Sequence, residues 1–404
     1  RRPPRSTLFP YTTLFRSITE GNEAVVLDIT GVSGGGATES GTPQQIAVTI
    51  TDDDSAGFTL SKTTASVAET GSTDSFTVVL NSEPTANVTL TLSDNDSSEV
   101  LYPSSVVFST GNWSTAQTVT LTGKDDYVDD GNQNTLLTLT PSSGDGNYNS
   151  PGLAAQTVTV TTTDNDSAGF SLSKTTASVA ETGSTDSFTV VLNSEPTANV
   201  TLTLSDNDSS EVLYPSSVVF STGNWSTAQT VTLTGKDDYV DDGNQNTLLT
   251  LTPSSGDGNY NSPTLSVQTV TATTADNDTA GFTISRTTAD VSENGTSVTF
   301  TVVLNTEPTN IVEFDITSDD PGEASVSPGS LTFSTGNWTI SQTVTITGED
   351  DSDDDDNVTS TTSVAIDQPN TLDGVYDSVG VQTINVLTID DEEMPIVTLS
   401  AAAT

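Results

Sequence analysis

The chain has no cysteine and no histidine among its 404 residues, a single methionine, and nine bases against 55 acids. Without Cys or His there is no thiol catalysis, no disulfide, no imidazole base and none of the usual zinc ligands. The scarcity of bases leaves a net charge of −46. Such a field repels nucleic acid and anionic membrane surfaces, so neither is expected as a partner. Aromatic residues make up only 6% of the chain, a composition that leans toward disorder. The alternation of Val, Leu, Phe and Thr argues the other way, because that pattern buries one face of each strand. No apolar run is long enough to span a bilayer, and no membrane insertion is expected in this stretch.

What is present is repetition. Ser55-Ala56-Gly57-Phe58 returns as Ser167-Ala168-Gly169-Phe170 and again as Thr279-Ala280-Gly281-Phe282. The first two copies are almost identical from Ala56 to Pro151 and from Ala168 to Pro263, and the third diverges but keeps the landmarks. So long a period is a whole domain rather than a solenoid unit. The expected boundaries are 55–166, 167–278 and 279–392 for three full repeats. Residues 18–54 match the end of a repeat, and 393–404, with Ile396-Val397-Thr398-Leu399, match the first strand of another. Residues 1–17 resemble the translation of a short-read sequencing adapter and are set aside. They hold four of the nine bases and no acid, so the remainder carries about −50.

Within a repeat the strand signals are short and broken by Gly, Pro and Asn-Asp. They fall at Ala56 to Leu60, Ala65 to Val67, Ser75 to Leu80, Val88 to Leu92, Val106 to Phe108, Ala116 to Thr122, Leu136 to Thr140 and Thr157 to Thr161. Thr and Val suit pleated surfaces and disfavour helix. Some seven strands in about 110 residues predict an antiparallel, immunoglobulin-like β-sandwich, and the chain an all-β extended array of them. The end segment 18–54 contributes strands at Ala24 to Ile29 and Gln45 to Ile50, joined by a Gly-rich turn; these cannot close a sandwich alone and present open edges. Trp113, Trp225 and Trp338, each after an Asn, are expected to plug the sandwich core.

The acids are clustered. Gly123-Lys124-Asp125-Asp126-Tyr127-Val128-Asp129-Asp130-Gly131 returns at Gly235 to Gly243, and a more acidic form runs from Gly348 to Asp356. Each follows a Thr-rich alternating run and is therefore a loop after a strand. Like charges about 4 Å apart cost about 4 kcal/mol at an intermediate effective dielectric, so the loop must splay into water or hold a cation. Two more clusters accompany it. One is a Glu (Glu69, Glu181, Glu293), expected before the second strand. The other is the repeat boundary: Asp164-Asn165-Asp166, Asp276-Asn277-Asp278 and Asp390-Asp391-Glu392. If the strands ending in the acidic loop and in the boundary run the same way, all three clusters share one pole. Hard oxygens from three segments suit Ca²⁺, which takes 6–8 of them at about 2.3–2.6 Å. A helix–loop–helix site is excluded, because with Gly131 as the turn glycine the ligand positions fall on Val128 and Leu137.

These features together resemble Calx-beta domains, in the form repeated in tandem in large bacterial surface proteins. The resemblance rests on Val67-x-Glu69-x-x-Gly71, Gln117-Thr118-Val119-Thr120, Asp125-Asp126-x-x-x-Asp130 and Asp164-x-Asp166. In the end segment it rests on Glu20-Gly21-Asn22-Glu23 and Asp52-Asp53-Asp54. It implies calcium as the cofactor, bound at one tip of each sandwich. The residues it assigns are Glu20, Glu23, Asp52, Asp53 and Asp54 in the end segment. In the first full repeat they are Glu69, Asp125, Asp126, Asp130, Asp164 and Asp166. The second offers Glu181, Asp237, Asp238, Asp242, Asp276 and Asp278, and the third Glu293, Asp350, Asp351, Asp355, Asp390 and Asp391. The sequence departs from the family where a second loop Glu is replaced by Gln133, Gln245 and Thr359 or a neighbour. Asp94 to Glu99 adds acids whose register the sequence does not give.

The resulting expectation is a secreted, extracellular calcium-binding spacer on a cell surface. Calcium stiffens the repeat tips and junctions, and adhesive partners bind elsewhere. Two rivals differ in class. A calcium-dependent glycan- or protein-binding module would carry an exposed aromatic beside the acidic tip. A glycosidase built on a pair such as Asp125 and Asp130 would need a converged site, which tandem copies argue against; no enzyme is expected. Acid runs that merely solubilise the chain are the bland alternative.

Overall fold

The computed structural model describes residues 17–29, 44–149, 151–350 and 356–391. The adapter-like leader up to residue 16, the Gly-rich turn of the end segment, Asp351, Asp355 and the strand expected at 396–399 lie outside these residues. The chain divides into two compact units, 1–169 with 193–197, and 170–192 with 198–404.

The first unit opens with an antiparallel hairpin, β1 (Glu23–Ile29) and β2 (Gln44–Ile50), in the register Val25↔Val48 and Leu27↔Ile46. These four side chains lie on one face and stay 42–57% exposed. The segment before the hairpin is tied to the sandwich that follows. The Ser17 carbonyl accepts from the Glu83 N–H, and Asn147 Nδ2 donates to the Thr19 carbonyl at 2.9 Å.

That sandwich comprises β3 (Phe58–Leu60), β4 (Thr64–Ala68), β5 (Thr73–Leu80), β6 (Val88–Ser93), β7 (Val100–Leu101), β8 (Ser105–Phe108), β9 (Gln117–Gly123), β10 (Gln133–Ser143) and β11 (Gln156–Thr163). One sheet runs β3-β5-β9-β7, the other β4-β11-β10-β6-β8. Alternation sends Phe76, Val78 and Leu80 of β5, Val119 and Leu121 of β9 and Val158 and Val160 of β11 into the space between the sheets. Each such side chain contributes about 1.5–3 kcal/mol of burial. The Tyr148 hydroxyl, in a single 3₁₀ turn, donates to the Ser82 carbonyl at 2.7 Å and accepts from its N–H at 3.1 Å, so burial leaves it satisfied. The second unit holds two more sandwiches of the same strand order, spanning Phe170–Ala275 and Phe282–Ile389.

Four sequence expectations need correction. The sandwich is not wholly antiparallel: β4 and β11 pair in parallel, from Thr64↔Thr159 to Ala68↔Thr163. Glu69 follows the second strand rather than preceding it. Strand β7, two residues long, was too short to register, and β10 extends well beyond Leu136 to Thr140. The tryptophans are not core plugs. Phe76, Phe108 and Tyr148 fill the centre, while Trp113 and Trp338 pack half-buried at its margin.

Register gathers the functional loops at one end. Thr73↔Thr122 puts the end of β9 beside the start of β5, and Gln133↔Thr162 puts the start of β10 beside the end of β11. Val100↔Gly123 brings Glu99, just before β7, to the same place. Gly123 makes the closest approach. Its N–H donates to the Ser72 carbonyl at 3.0 Å, and a Cβ there would lie 1.9 Å from the Ala68 carbonyl oxygen. Gly235 and Gly348 repeat this, with 2.0 and 2.3 Å to Ala180 and Ser292. Only a residue without a side chain lets the acidic loop leave β9 against the backbone that carries Glu69. Gly123→Ala is therefore expected to destabilise the first sandwich by about 1–3 kcal/mol. Faster hydrogen exchange in residues 64–72, with the second sandwich unchanged as internal control, would verify it.

Candidate metal site

Two groups of three carboxylates form at this pole. Glu69, Asp125 and Asp166 each place an oxygen within 4.8 Å of the others, and so do Glu99, Asp126 and Asp130. The second repeat reproduces both, as Glu181, Asp237 and Asp278, and Glu211, Asp238 and Asp242. Adjacent loop residues serve different groups, Asp125 one and Asp126 the other. The pair therefore lies side by side on one loop.

Each member is positioned by backbone. The Glu69 N–H donates to the Thr163 carbonyl at 3.1 Å, extending the parallel ladder by one residue to the boundary Asp164. Asn165 then donates its N–H to Glu69 Oε2 at 3.1 Å and its Nδ2 to Asp125 Oδ1 at 3.3 Å. Lys124 N–H donates to the Glu99 carbonyl at 2.9 Å, fixing the loop against the strand that Glu99 introduces. Its ammonium turns away to the Ser97 carbonyl at 3.1 Å.

Asp164 has a different use. Its Oδ2 accepts from the Gly131 N–H at 2.7 Å and its Oδ1 from the Asp166 N–H at 2.7 Å, so both oxygens clamp backbone. Asp276 does the same for Gly243 and Asp278. Asp52 does so in the end segment, where the N–H groups of Gly21, Asp54 and Glu20 hold its carboxyl below the usual range. Among the described residues, Glu20, Glu23, Asp53, Asp54, Asp164 and Asp276 do not join a group of three. The clamp relies on Gly131 at φ +74, a left-handed position that Asp356 takes at φ +68 in the third repeat.

Glu99 and Glu211 belong to the groups but carried no assignment from sequence. The sequence offers Glu99 only among the acids of Asp94 to Glu99, without a register; in the structure each lies immediately before a two-residue strand paired to the glycine that starts the acidic loop. The register also settles the departure at Gln133 and Gln245. Their counterpart in the third repeat is Val358, not Thr359, since Val358↔Thr388 matches Gln133↔Thr162. In that repeat Glu293 and Glu323 are buried at equivalent places. The Glu349 N–H donates to the Glu323 carbonyl at 2.9 Å; among the described residues Glu293, Asp350, Asp390 and Asp391 do not join a group of three.

Burial and like charge dominate the electrostatics of both groups. Glu69, Glu99, Glu181 and Glu211 are 2–3% exposed. Burial, followed by the charges of Asp164, Asp126 and Glu99, pushes Glu69 up to about 7; burial, with Asp276 and Asp238, does the same to Glu181. Burial raises Glu99, Asp130 and Asp166 as well, each with neighbouring carboxylates adding to it. Glu99 Oε2, Asp166 Oδ2, Glu211 Oε2 and Asp278 Oδ2 are buried and accept no hydrogen bond. A buried, unpartnered carboxylate oxygen is costly unless a cation meets it. Two oxygens on one Ca²⁺ can be at most about 5 Å apart, so groups this tight fit one ion each. The donor set is all oxygen, which suits a hard cation better than a softer one.

The Calx-beta domain family matches residues 51–166, 163–278 and 275–392. The chain therefore belongs to the Calx-beta family, with three domains in tandem. No curated protein sequence matches it. Among solved structures it is similar to the calcium binding domain CBD12 of CALX1.1, at 15% identity over 49% of this chain and 80% of that one, with a TM-score of 0.24. It is also similar to extracellular cadherin domains 1–4 of protocadherin gamma B7, at 11% identity over 86% and 80%, with a TM-score of 0.34. A third is the I-band fragment I67-I69 of titin, at 10% identity over 83% and 99%, with a TM-score of 0.26.

The raised carboxyls fix a pH dependence. A metal-free folded state holds the Glu69 and Glu181 protons up to about 7, whereas the unfolded chain releases them near 4.5. Their contribution to stability is complete below about 4.5 and is lost as pH rises to about 7. Thermal unfolding in chelator should thus fall across that window. With calcium, which binds the ionised form, the slope should reverse.

Proposed function

We propose that the protein is a calcium-binding structural spacer of an extracellular, cell-surface protein. Each of the first two full domains takes an ion at each of its two carboxylate groups. Glu69, Asp125 and Asp166 hold one, and Glu99, Asp126 and Asp130 the other. Glu181, Asp237 and Asp278, with Glu211, Asp238 and Asp242, serve the second domain. The observation that carries this reading is the buried, unpartnered oxygens of Glu99, Asp166, Glu211 and Asp278, each inside a group of three and repeated in both domains. Acids kept only for solubility would face water, not the sandwich interior.

When bound, calcium supplies positive charge that replaces like-charge repulsion with attraction. The chain's own residues orient it. Glu69 and Glu99 are fixed by strand register, Asp125, Asp126 and Asp130 by the glycine-hinged loop, and Asp166 by the Asp164 clamp. The binding-module alternative needs an exposed aromatic at the acidic tip. Tyr239 stands there at 55% exposure, but its ring centroid lies 6.4 Å from that of Trp338 in the next domain, which favours a junction over a glycan platform. A glycosidase pair of Asp125 and Asp130 is disfavoured because the two sit in different groups. The non-enzymatic spacer is the reading retained.

Calorimetric titration of the full chain with calcium tests this. About four ions at least are expected from the first two domains, with Kd values in the range of about 10⁻⁴–10⁻³ M typical of extracellular modules. Tenfold excess over Kd adds about 1.4 kcal/mol per site. Glu99→Gln with Glu211→Gln should remove two ions and raise metal-free stability. Unchanged stoichiometry in that variant would sink the assignment.

A further inference from the structure

Between Asp238 and Asp242, which belong to the same carboxylate group, the loop makes a tight turn of three residues. Asp238 Oδ1 accepts from the Val240 N–H at 3.0 Å, and the Asp242 N–H donates to the Val240 carbonyl at 3.0 Å. Tyr239 sits at φ +65, which an aromatic L-residue adopts only under constraint. The left-handed backbone turns the Tyr239 carbonyl outward, where it accepts the Glu307 N–H of the following domain at 2.8 Å. Asp241 Oδ2 accepts the Ala280 N–H at 2.7 Å, at the first residues of that same domain. The Tyr239 ring meets Trp338 at an interplanar angle of 40°. Three contacts from one turn thus reach three separate segments of the next sandwich.

The arrangement recurs. Tyr127 has φ +71, its carbonyl accepts the Glu195 N–H at 2.7 Å, and Asp129 Oδ2 accepts the Ala168 N–H at 2.7 Å. In the end segment the Ser17 carbonyl makes the same bond to Glu83. The backbone contact is therefore constant while the aromatic is an addition to it. Asp129 and Asp241 lie in the acidic loop but outside both carboxylate groups, and each gives its Oδ2 to a backbone N–H instead, of Ala168 and Ala280.

We propose that Tyr239, Asp241 and Trp338 form a clasp that seats the third domain on the second, and that its closure depends on the carboxylate group bracketing it. This rests on the calcium reading above. With a cation, Asp238 and Asp242 are drawn to one point and the intervening turn is locked in its left-handed form. Without it, Glu211, Asp238 and Asp242 repel, the turn relaxes, and the outward carbonyl and Asp241 lose their partners. Tyr239 and Asp241 are positioning residues for the junction, not ligands.

The test uses the full chain with Trp113→Phe and Trp225→Phe, leaving Trp338 as the sole fluorophore of its kind. Calcium added to chelated protein should shift Trp338 emission and reduce its quenching by acrylamide. In Tyr239→Ala, and separately in Asp241→Asn, that response should be lost while calorimetry returns the same number of ions. Tyr239→Phe should retain it, which separates ring contact from hydroxyl chemistry. A Trp338 response that survives both Tyr239→Ala and Asp241→Asn, with ions bound as before, overturns the clasp. No heat of calcium binding in the parent overturns the calcium reading instead, and the two failures are distinct.

Discussion

The structure depends on one constraint: carboxylates from distant parts of each of the first two full domains are forced to one pole and partly into the interior. Hydrophobic alternation builds the sandwich, but strand register decides where the charge goes. Parallel pairing of β4 with β11 delivers Glu69 to the boundary aspartates. Pairing of β7 with β9 delivers Glu99 to the acidic loop. The β4–β11 pairing is stabilised by ladder bonds and apolar burial, and β9, on which the short β7 rests, is held in the same way by β5, so the fold can impose a repulsive arrangement at its tip and remain folded. The tip is poised for a cation because its geometry is set elsewhere.

The fold class was readable from pattern. Val88, Leu90 and Leu92 alternate with Thr, and the turn residues between such runs leave little choice but a sandwich. The parallel pair was not readable, because β4 and β11 look like any other Thr-Val strand and their partnership is a long-range matter of topology. Glu69, Asp125 and Asp166 were legible as members of one carboxylate group because they fall in acid clusters that recur. Glu99 was hidden because the strand that registers it is two residues long and carries no periodicity. Asp164 was legible as an acid of the site but not as a clamp, since nothing in Asp-x-Asp reveals which oxygen meets backbone.

The three domains keep this scaffold while varying the charge upon it. Lys124 and Lys236 become Glu349, and Asn165 and Asn277 become Asp391. Gly131 and Gly243 become Asp356, which accepts the left-handed backbone that Asp tolerates better than most residues. Every one of these changes makes the third tip more acidic. The glycine that admits the loop, Gly348, is retained, and so is the bond between the backbones of Glu349 and Glu323. Backbone geometry is the fixed part, and charge is the adjustable one.

The parallel closing strand has a consequence for biogenesis. β4 cannot be completed until β11 has been made, and the chain then goes on to make a second strand almost the same. Gln156–Thr163 reads QTVTVTTT and Gln268–Ala275 reads QTVTATTA. Roughly doubling the loop to be closed costs only about 0.6 kcal/mol, a weak barrier to choosing the wrong one. Order of emergence is the stronger safeguard: a vectorially produced chain can zip its own strand before the copy exists. Refolding from denaturant removes that safeguard, leaving strand exchange between neighbours opposed chiefly by Val160 and Thr163 against Ala272 and Ala275.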